Sequence, residues 1–350
     1  MVESKAYSGL EARLRASIII PAYNAQGTIG DCLRAVLHQS LPQSSYEVIV
    51  VDDGSTDGTA TITRQFDVKL VQQRNQGPAI ARNTGAAIAQ GDILLFTDAD
   101  CAPAYDWLEK MLAPFESGEV VGAKGTYRTH QRELVARLVQ IEYEEKYQRM
   151  ARERYIDFID TYSAAYSREV FQASGGFDPS FPVPSAEDQE LAIRIAEAGN
   201  KMVFAPQAVV YHFHPTTWAT YCRRKARYGY WRVLVHWKHP KKALRDSHTL
   251  QVQKVQMALA GAILLGMASV PISSFGIPAA ALAVTAFVVS SLAFVRRAAR
   301  QGLELGVAAL PFLFMRATSL LIGVLVGAVT LPFRFAARAA KSSVQHTKER

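Results

Sequence analysis

LLFTDADCAP, Leu94 to Pro103, is the stretch on which the reading turns. Ile93, Leu94, Leu95 and Phe96 form an apolar run of the length of a buried strand, and it passes directly into Thr97-Asp98-Ala99-Asp100. On a strand, alternate side chains share a face, so Asp98 and Asp100 are expected to converge on one point. Two like charges that close repel and need a compensating partner. A solvated strand end with a turn-forming Asp is one explanation. A divalent cation held by both carboxylates is the other.

Outward from that strand, apolar runs alternate with helical patterns. Strands are expected at Ala16–Pro21, Tyr46–Asp52, Val68–Val71 and Asp92–Thr97, with helices at Thr28–Ser40, Gly58–Phe66, Pro78–Ala89 and Tyr105–Glu116. This order implies an α/β domain with a mostly parallel sheet sandwiched by helices. In such sheets ligands bind beyond the carboxyl ends of the strands. The polar clusters fall there: Ala22-Tyr23-Asn24, Asp52-Asp53-Gly54-Ser55 and Asp98-Ala99-Asp100. No GxGxxG or GxxxxGK[ST] is present, which disfavours a Rossmann dinucleotide site and a P-loop. Farther on, Glu119–Tyr127, Thr161–Tyr166, Lys201–Ala205 and Ala208–His212 read as strands. Ala186–Gly199 reads as an amphipathic helix with Glu187 and Asp188 at its start, where carboxylates also suit the helix dipole.

The 350 residues exceed one ordinary domain. Three scattered cysteines, Cys32, Cys101 and Cys222, lack CxxC spacing and argue for reduced thiols. The first apolar run, Ile18 to Ile20, is too short for a signal peptide. No charge falls between Lys254 and Arg296, and a turn-rich segment from Pro271 to Pro278 divides that stretch into two spans, a hairpin over 255–295. A further apolar run, 305–333, carries only Arg316. It reads as one long span or as a short re-entrant piece followed by a span. Basic residues flank these runs: Lys241, Lys242, Arg245 and Lys254, then Arg296, Arg297 and Arg300, then Arg334, Arg338 and Lys341. The positive-inside rule puts them on the cytoplasmic side and favours an even number of crossings. The chain therefore divides into a tail (1–14), an α/β domain (15–215), basic aromatic interfacial helices (216–250), transmembrane helices (251–335) and a basic tail (336–350). The net charge of +8 and the Arg, Lys, Trp and Tyr of 216–245 fit an anionic lipid surface better than nucleic acid. Oligomeric state is not legible.

Six motifs in order carry a resemblance: Pro21-Ala22-Tyr23-Asn24, VIVVDDGSTD (Val48–Asp57), GPAIARNTG (Gly77–Gly85), FTDAD (Phe96–Asp100), GGFD (Gly175–Asp178) and AEDQELAIRIAEAG (Ala186–Gly199). Together, over about residues 15–235, they resemble the family-2 inverting glycosyltransferases of GT-A fold. The apolar C-terminal third resembles the membrane anchors of many members acting on polyprenyl phosphates and envelope polysaccharides.

The resemblance implies a nucleotide-sugar donor, UDP- or GDP-linked by default, and a lipid-linked or glycan acceptor of the cell envelope. It implies Mg²⁺ or Mn²⁺ on the donor diphosphate, held by Asp98 and Asp100, because oxygen ligands suit hard cations. His212 is the candidate third ligand, ahead of His214. Asp53 is implied to bind the nucleotide base, with Pro21, Ala22 and Tyr23 lining its pocket. Arg82 is implied to approach the base or diphosphate, against the alternative of a solvated helical Arg. Asp188 is the implied general base and Glu187 the runner-up or a positioner of the acceptor; one in-line displacement needs one base. Arg224-Lys225-Ala226-Arg227-Tyr228 loosely resembles the [Q/R]xxRW motif of processive members, with Tyr228 in place of Trp, which counts against a processive polysaccharide synthase. A sugar nucleotidyltransferase would want a basic Gly-rich loop where AYNAQG stands. A non-catalytic membrane scaffold would not be expected to keep Asp53, Asp98, Asp100 and Asp188.

Overall fold

The computed structural model describes residues 14–240 and 250–348, with side chains described through residue 333. The expected N-terminal tail (1–14), residues 241–249 with Lys241, Lys242 and Arg245, and the side chains of Arg334, Arg338 and Lys341 lie at or outside these limits. The described chain divides into two compact units: residues 14–129 with 150–213, and residues 130–149 with 214–348.

The first unit is built on an eight-stranded sheet: β1 (Ala16–Ala22), β2 (Tyr46–Asp52), β3 (Lys69–Gln72), β4 (Ile93–Phe96), β5 (Cys101–Pro103), β6 (Val120–Arg128), β7 (Ala164–Ser167) and β8 (Lys201–His212). Their spatial order is β3-β2-β1-β4-β7-β6-β8-β5. The first four pair in parallel, as their continuous apolar runs require, with Ile18, Ile19, Ile20, Leu94, Leu95 and Phe96 fully buried. Beyond β4 the sheet is mixed. The pairs β4–β7, β7–β6 and β8–β5 are antiparallel, and β6–β8 is parallel with two register shifts. The two strands expected at 201–205 and 208–212 are one, β8.

Helices α1 (Ile29–Leu37), α2 (Thr59–Thr63), α3 (Pro78–Ile88) and α4 (Trp107–Leu112) follow the early strands, and α6 (Arg168–Ala173) and α7 (Glu187–Glu197) the later ones. Phe96 meets Phe177 and Tyr166 edge to face and Phe171 at a tilt in the core, joined by Ile19, Val51, Leu191 and Ile195. Each fully buried side chain of this kind contributes about 1.5–3 kcal/mol.

Asp98 and Asp100 do not sit on a strand. β4 ends at Phe96, and the Cys101 amide donates to the Asp98 carbonyl (3.0 Å), closing a turn across the acidic pair. The chain then enters β5, the edge strand four places from β4 in the strand order. Five peptide steps reach at most about 17 Å, whereas four strand spacings in a flat sheet measure about 19 Å. The sheet must therefore curl between β4 and β5, and the acidic turn bridges that curl.

The second unit is helical: α5 (Leu134–Met150), α8 (Trp218–Lys238), α9 (Gln251–Ser269), α10 (Gly276–Gln301) and α11 (Leu303–Lys348). Within the described residues, 251–269, 276–301 and 303–333 are each long and apolar enough to cross a membrane. The third run is one uninterrupted helix through Pro311 and Pro332, so no separate re-entrant piece precedes Arg316. Arg316 is buried in a polar cluster: its Nη2 donates to Gln256 Oε1 (2.6 Å), and its Nη1 lies 3.8 Å from Glu142.

Candidate active site

The carboxyl ends of β1, β2 and β4 are brought level by register. Ala22 pairs with Asp52, Ile19 pairs with Phe96, and the Asp53 amide donates to the Ala22 carbonyl (2.8 Å). Three of the polar clusters expected from the sequence therefore share one edge. Ala22 is buried, Pro21 half-buried, and the Tyr23 ring stands exposed beyond them.

The adjacent Asp52 and Asp53 divide two tasks. Asp52 Oδ1 accepts from the Ser55 amide (2.9 Å) and forms the turn, while its Oδ2 accepts from Gln72. Asp53 accepts from Gln73 Nε2 (2.7 Å) and from the amides of Gln76 (3.0 Å) and Gly77 (2.8 Å), pinning the loop before α3. Gly77 has φ +91°, and a Cβ there would lie 2.6 Å from the Pro182 carbonyl oxygen, so glycine is required.

Arg82 is buried, not solvated. From α3 it donates through Nη2 to Asp98 Oδ1 (2.8 Å) and through Nη1 to Glu187 Oε1 (2.9 Å), with Phe177 beneath its guanidinium. One cation thus ties the acidic turn to the start of α7. The second Glu187 oxygen accepts from the Ser185 amide (2.8 Å). Asn83 next to Arg82 holds the GGFD loop through paired hydrogen bonds with the Phe177 backbone.

Asp100 takes a different partner from Asp98. His212 Nε2 lies 2.9 Å from Asp100 Oδ2, and Tyr127 Oη meets His212 Nδ1. The cause is register, since Cys101 pairs with His212 across β5–β8. Asp100, Cys101 and His212 each present a ligand atom within 4.8 Å of the others. A carboxylate and an imidazole suit a divalent cation of Mg²⁺ or Mn²⁺ type, and Asp98 stands two residues away. His214 belongs to the second unit, where Gln131 and Gln140 bind it.

Asp188 is buried in the first turn of α7 and accepts from the Gln189 amide (2.7 Å). Burial first, then the charges of Glu187 and Asp160, raise its carboxyl well above the ordinary value. Gln189 Nε2, Tyr166 Oη and Arg82 Nε are buried polar atoms with no protein partner.

Lys124 on β6 was not singled out by sequence reasoning. It is almost fully buried, ion-paired with Asp160, hydrogen-bonded to Tyr162 Oη (2.8 Å) and set over the Tyr162 ring. A lysine inside the apolar strand VVGAKGTYR was its only sequence signal. Cys101 was likewise unassigned.

With this geometry in place, the comparisons decide the family. The Glycosyl transferase family 2 model matches residues 17–175. The chain carries a family 2 glycosyltransferase domain. Glycosyltransferase AglE of Haloferax volcanii is 48% identical over 100 residues, covering 27% of this chain and 33% of that protein. The probable glycosyltransferase YdaM of Bacillus subtilis is 30% identical over 233 residues, 61% of this chain and 54% of that one. The chain thus spans about half the length or less of these two relatives. The mannosyltransferase PcManGT of Pyrobaculum calidifontis, solved with GDP-Man and Mn²⁺, superposes with a TM-score of 0.59 at 24% identity, over 91% of this chain and 88% of that one, and so shares the GT-A fold. Asp53, Arg82, Asp98 and Asp100 of the transferase domain fall inside the family match. Glu187, Asp188 and His212 lie beyond it.

Proposed function

We propose that this chain is a metal-dependent inverting glycosyltransferase that moves a sugar from a UDP- or GDP-sugar to a lipid-linked or envelope glycan acceptor at the cytoplasmic face of a membrane. The observation that carries this reading is the pairing of Asp100 with His212 beside Asp98, in a family 2 domain whose α7 begins with a buried carboxyl of raised affinity for protons. The solved neighbour of the same fold holds GDP-Man and Mn²⁺, which agrees with this reading.

In it, Asp98, Asp100 and His212 would hold Mg²⁺ or Mn²⁺, whose chemistry there would be to supply positive charge to the donor diphosphate. Pro21, Ala22, Tyr23 and Asp53 hold the nucleotide. Asp53 also pins the 73–77 loop, so its contact with the base requires that loop to rearrange around it or the base to share its carboxylate. Arg82 holds Asp98 and Glu187 in register with each other and leaves its Nε for the donor. Asp188 takes the acceptor proton as the acceptor oxygen attacks opposite the diphosphate. Its raised proton affinity moves it toward the working pH of a general base. The fully engaged Glu187 oxygens suit a positioning role better than a proton-accepting one. The apolar helices α9 to α11 anchor the chain, with the basic flanks on anionic lipid.

Calorimetric titration of the detergent-purified chain with UDP, GDP, CDP, dTDP and ADP, with and without Mn²⁺, tests the reading. One diphosphate is expected to bind with metal, and Asp100→Ala to lose that dependence. If no nucleotide binds under either condition, the assignment fails.

A further inference from the structure

Cys101 stands inside the candidate metal cluster, where a hard cation has no use for it. Its Sγ lies 3.9 Å from Asp100 Oδ1, and His212 Nε2 lies 2.9 Å from Asp100 Oδ2. All three donor atoms fall within 4.8 Å of one another. In a tetrahedral zinc site with bonds of about 2.0–2.3 Å, donors stand about 3.3–3.8 Å apart. The three atoms are therefore within about 1 Å of that spacing. Cys101 and His212 are also direct cross-strand partners of β5 and β8, so their side chains issue from the same face of the sheet.

We propose that Asp100, Cys101 and His212 form a tridentate site for a thiophilic divalent cation, Zn²⁺ or Cd²⁺, which displaces the hard cation of the transfer reaction and blocks donor binding. The inference rests on the metal site proposed above and adds its selectivity. Carboxylate, thiolate and imidazole together are a zinc donor set, and soft thiolate separates Zn²⁺ from Mg²⁺ and Mn²⁺. Binding replaces the Cys101 S–H bond with an S–metal bond, and the proton leaves to solvent. Sulfur is a poor ligand for a hard cation, so Mg²⁺ or Mn²⁺ would use only the oxygens and the imidazole.

The full chain in detergent is titrated with Cd²⁺ while the ultraviolet sulfur-to-cadmium charge-transfer band is followed. The band is expected to saturate at one equivalent, to vanish in Cys101→Ser and to persist in Cys222→Ser, whose thiol lies in the second unit. His212→Asn, which leaves Cys101 in place, is expected to weaken Cd²⁺ binding at least tenfold and serves if Cys101→Ser does not fold. In parallel, the Zn²⁺ concentration that halves Mn²⁺-dependent nucleotide binding is measured against each variant's own zinc-free value. It is expected to rise at least tenfold in Cys101→Ser. A band absent from the unmodified chain, a band surviving in Cys101→Ser, or equal zinc sensitivity in both proteins overturns the proposal. Failure of Mn²⁺ to support nucleotide binding in any variant speaks against the transferase reading instead, because the cadmium band reports on Cys101 without nucleotide.

Discussion

Arg82 shows what a single residue contributes here. GPAIARNTG offers it as a group approaching the donor or as a solvated helical Arg, and the fold shows it buried between Asp98 and Glu187. Removing one partner of a buried ion pair leaves the other charge uncompensated, at a cost of about 3–5 kcal/mol. Arg82→Ala is therefore expected to lower the melting temperature in detergent markedly. Arg82→Lys, which keeps the charge but loses the two-pronged geometry, should recover only part of it. Unchanged melting in Arg82→Ala would refute the tie. Asp188 gives a pH prediction. Its folded pKa is raised, so the carboxyl is protonated and unable to accept a proton below that value, and the base becomes available as pH rises through it. The acid limb of kcat/KM is expected above the ordinary carboxylate range, and a limb near pH 4 would exclude Asp188 as the base. The acidic residues were legible because their types and spacing are rare together. Their partners were not, since Lys124, Tyr127 and the pairing of Arg82 with Asp98 and Glu187 acquire meaning only through contacts distant in sequence.

At the scale of elements, the parallel strands were readable almost to the residue: Tyr46–Asp52 is β2 as expected, and α3 starts at Pro78. β5 was not, because three residues carry no periodicity and their pairing with β8 depends on the curl of the sheet. The acidic pair was accordingly placed on a strand when it occupies the turn that the curl creates. In the helical unit, α8 and α11 approach backbone to backbone. A Cβ on Gly323 would lie 2.0 Å from the Ala226 carbonyl oxygen, and one on Gly229 would lie 2.3 Å from that of Leu320. With Gly327 this is a small-xxx-small contact of the kind that joins membrane helices. Gly323→Val is expected to destabilise the unit, read as earlier melting and easier proteolysis near α8, whereas Ile322→Val on an exposed position should not. Nearby, Glu142 is buried and accepts from Tyr221 (2.9 Å) and Lys225 (2.7 Å), with Lys146 beside it. Burial works to raise its carboxyl, yet Lys225, Lys146 and Arg316 together hold it below the usual range. A depressed pKa gives stability above the unfolded value that is lost as pH falls. Glu142→Gln should remove that acid sensitivity and lower melting at pH 7; melting equal to the unmodified chain at both pH values would show that the cluster contributes nothing.

For the whole molecule, three helices of crossing length follow the transferase domain in sequence among the described residues. The charge-free interval from Lys254 to Arg296 announced the first two. The third was ambiguous because Arg316 interrupts it, and the structure resolves this by burying Arg316 against Gln256 and Glu142. The full chain is expected to remain in the membrane pellet after alkaline carbonate washing, and release into the wash would contradict its anchoring.

The central claim, that Asp188 acts as base on an acceptor while metal-bound carboxylates hold the donor, is tested most directly by one transfer assay. Membrane lipid extract is incubated with the radiolabelled donor whose nucleotide binds in calorimetry, and label entering the lipid fraction is followed for the unmodified chain and Asp188→Asn. The account predicts metal-dependent labelling, with Asp188→Asn binding the nucleotide equally well but transferring about 100-fold more slowly or worse. Transfer by Asp188→Asn at the unmodified rate, or labelling that persists when the metal is chelated, would contradict it.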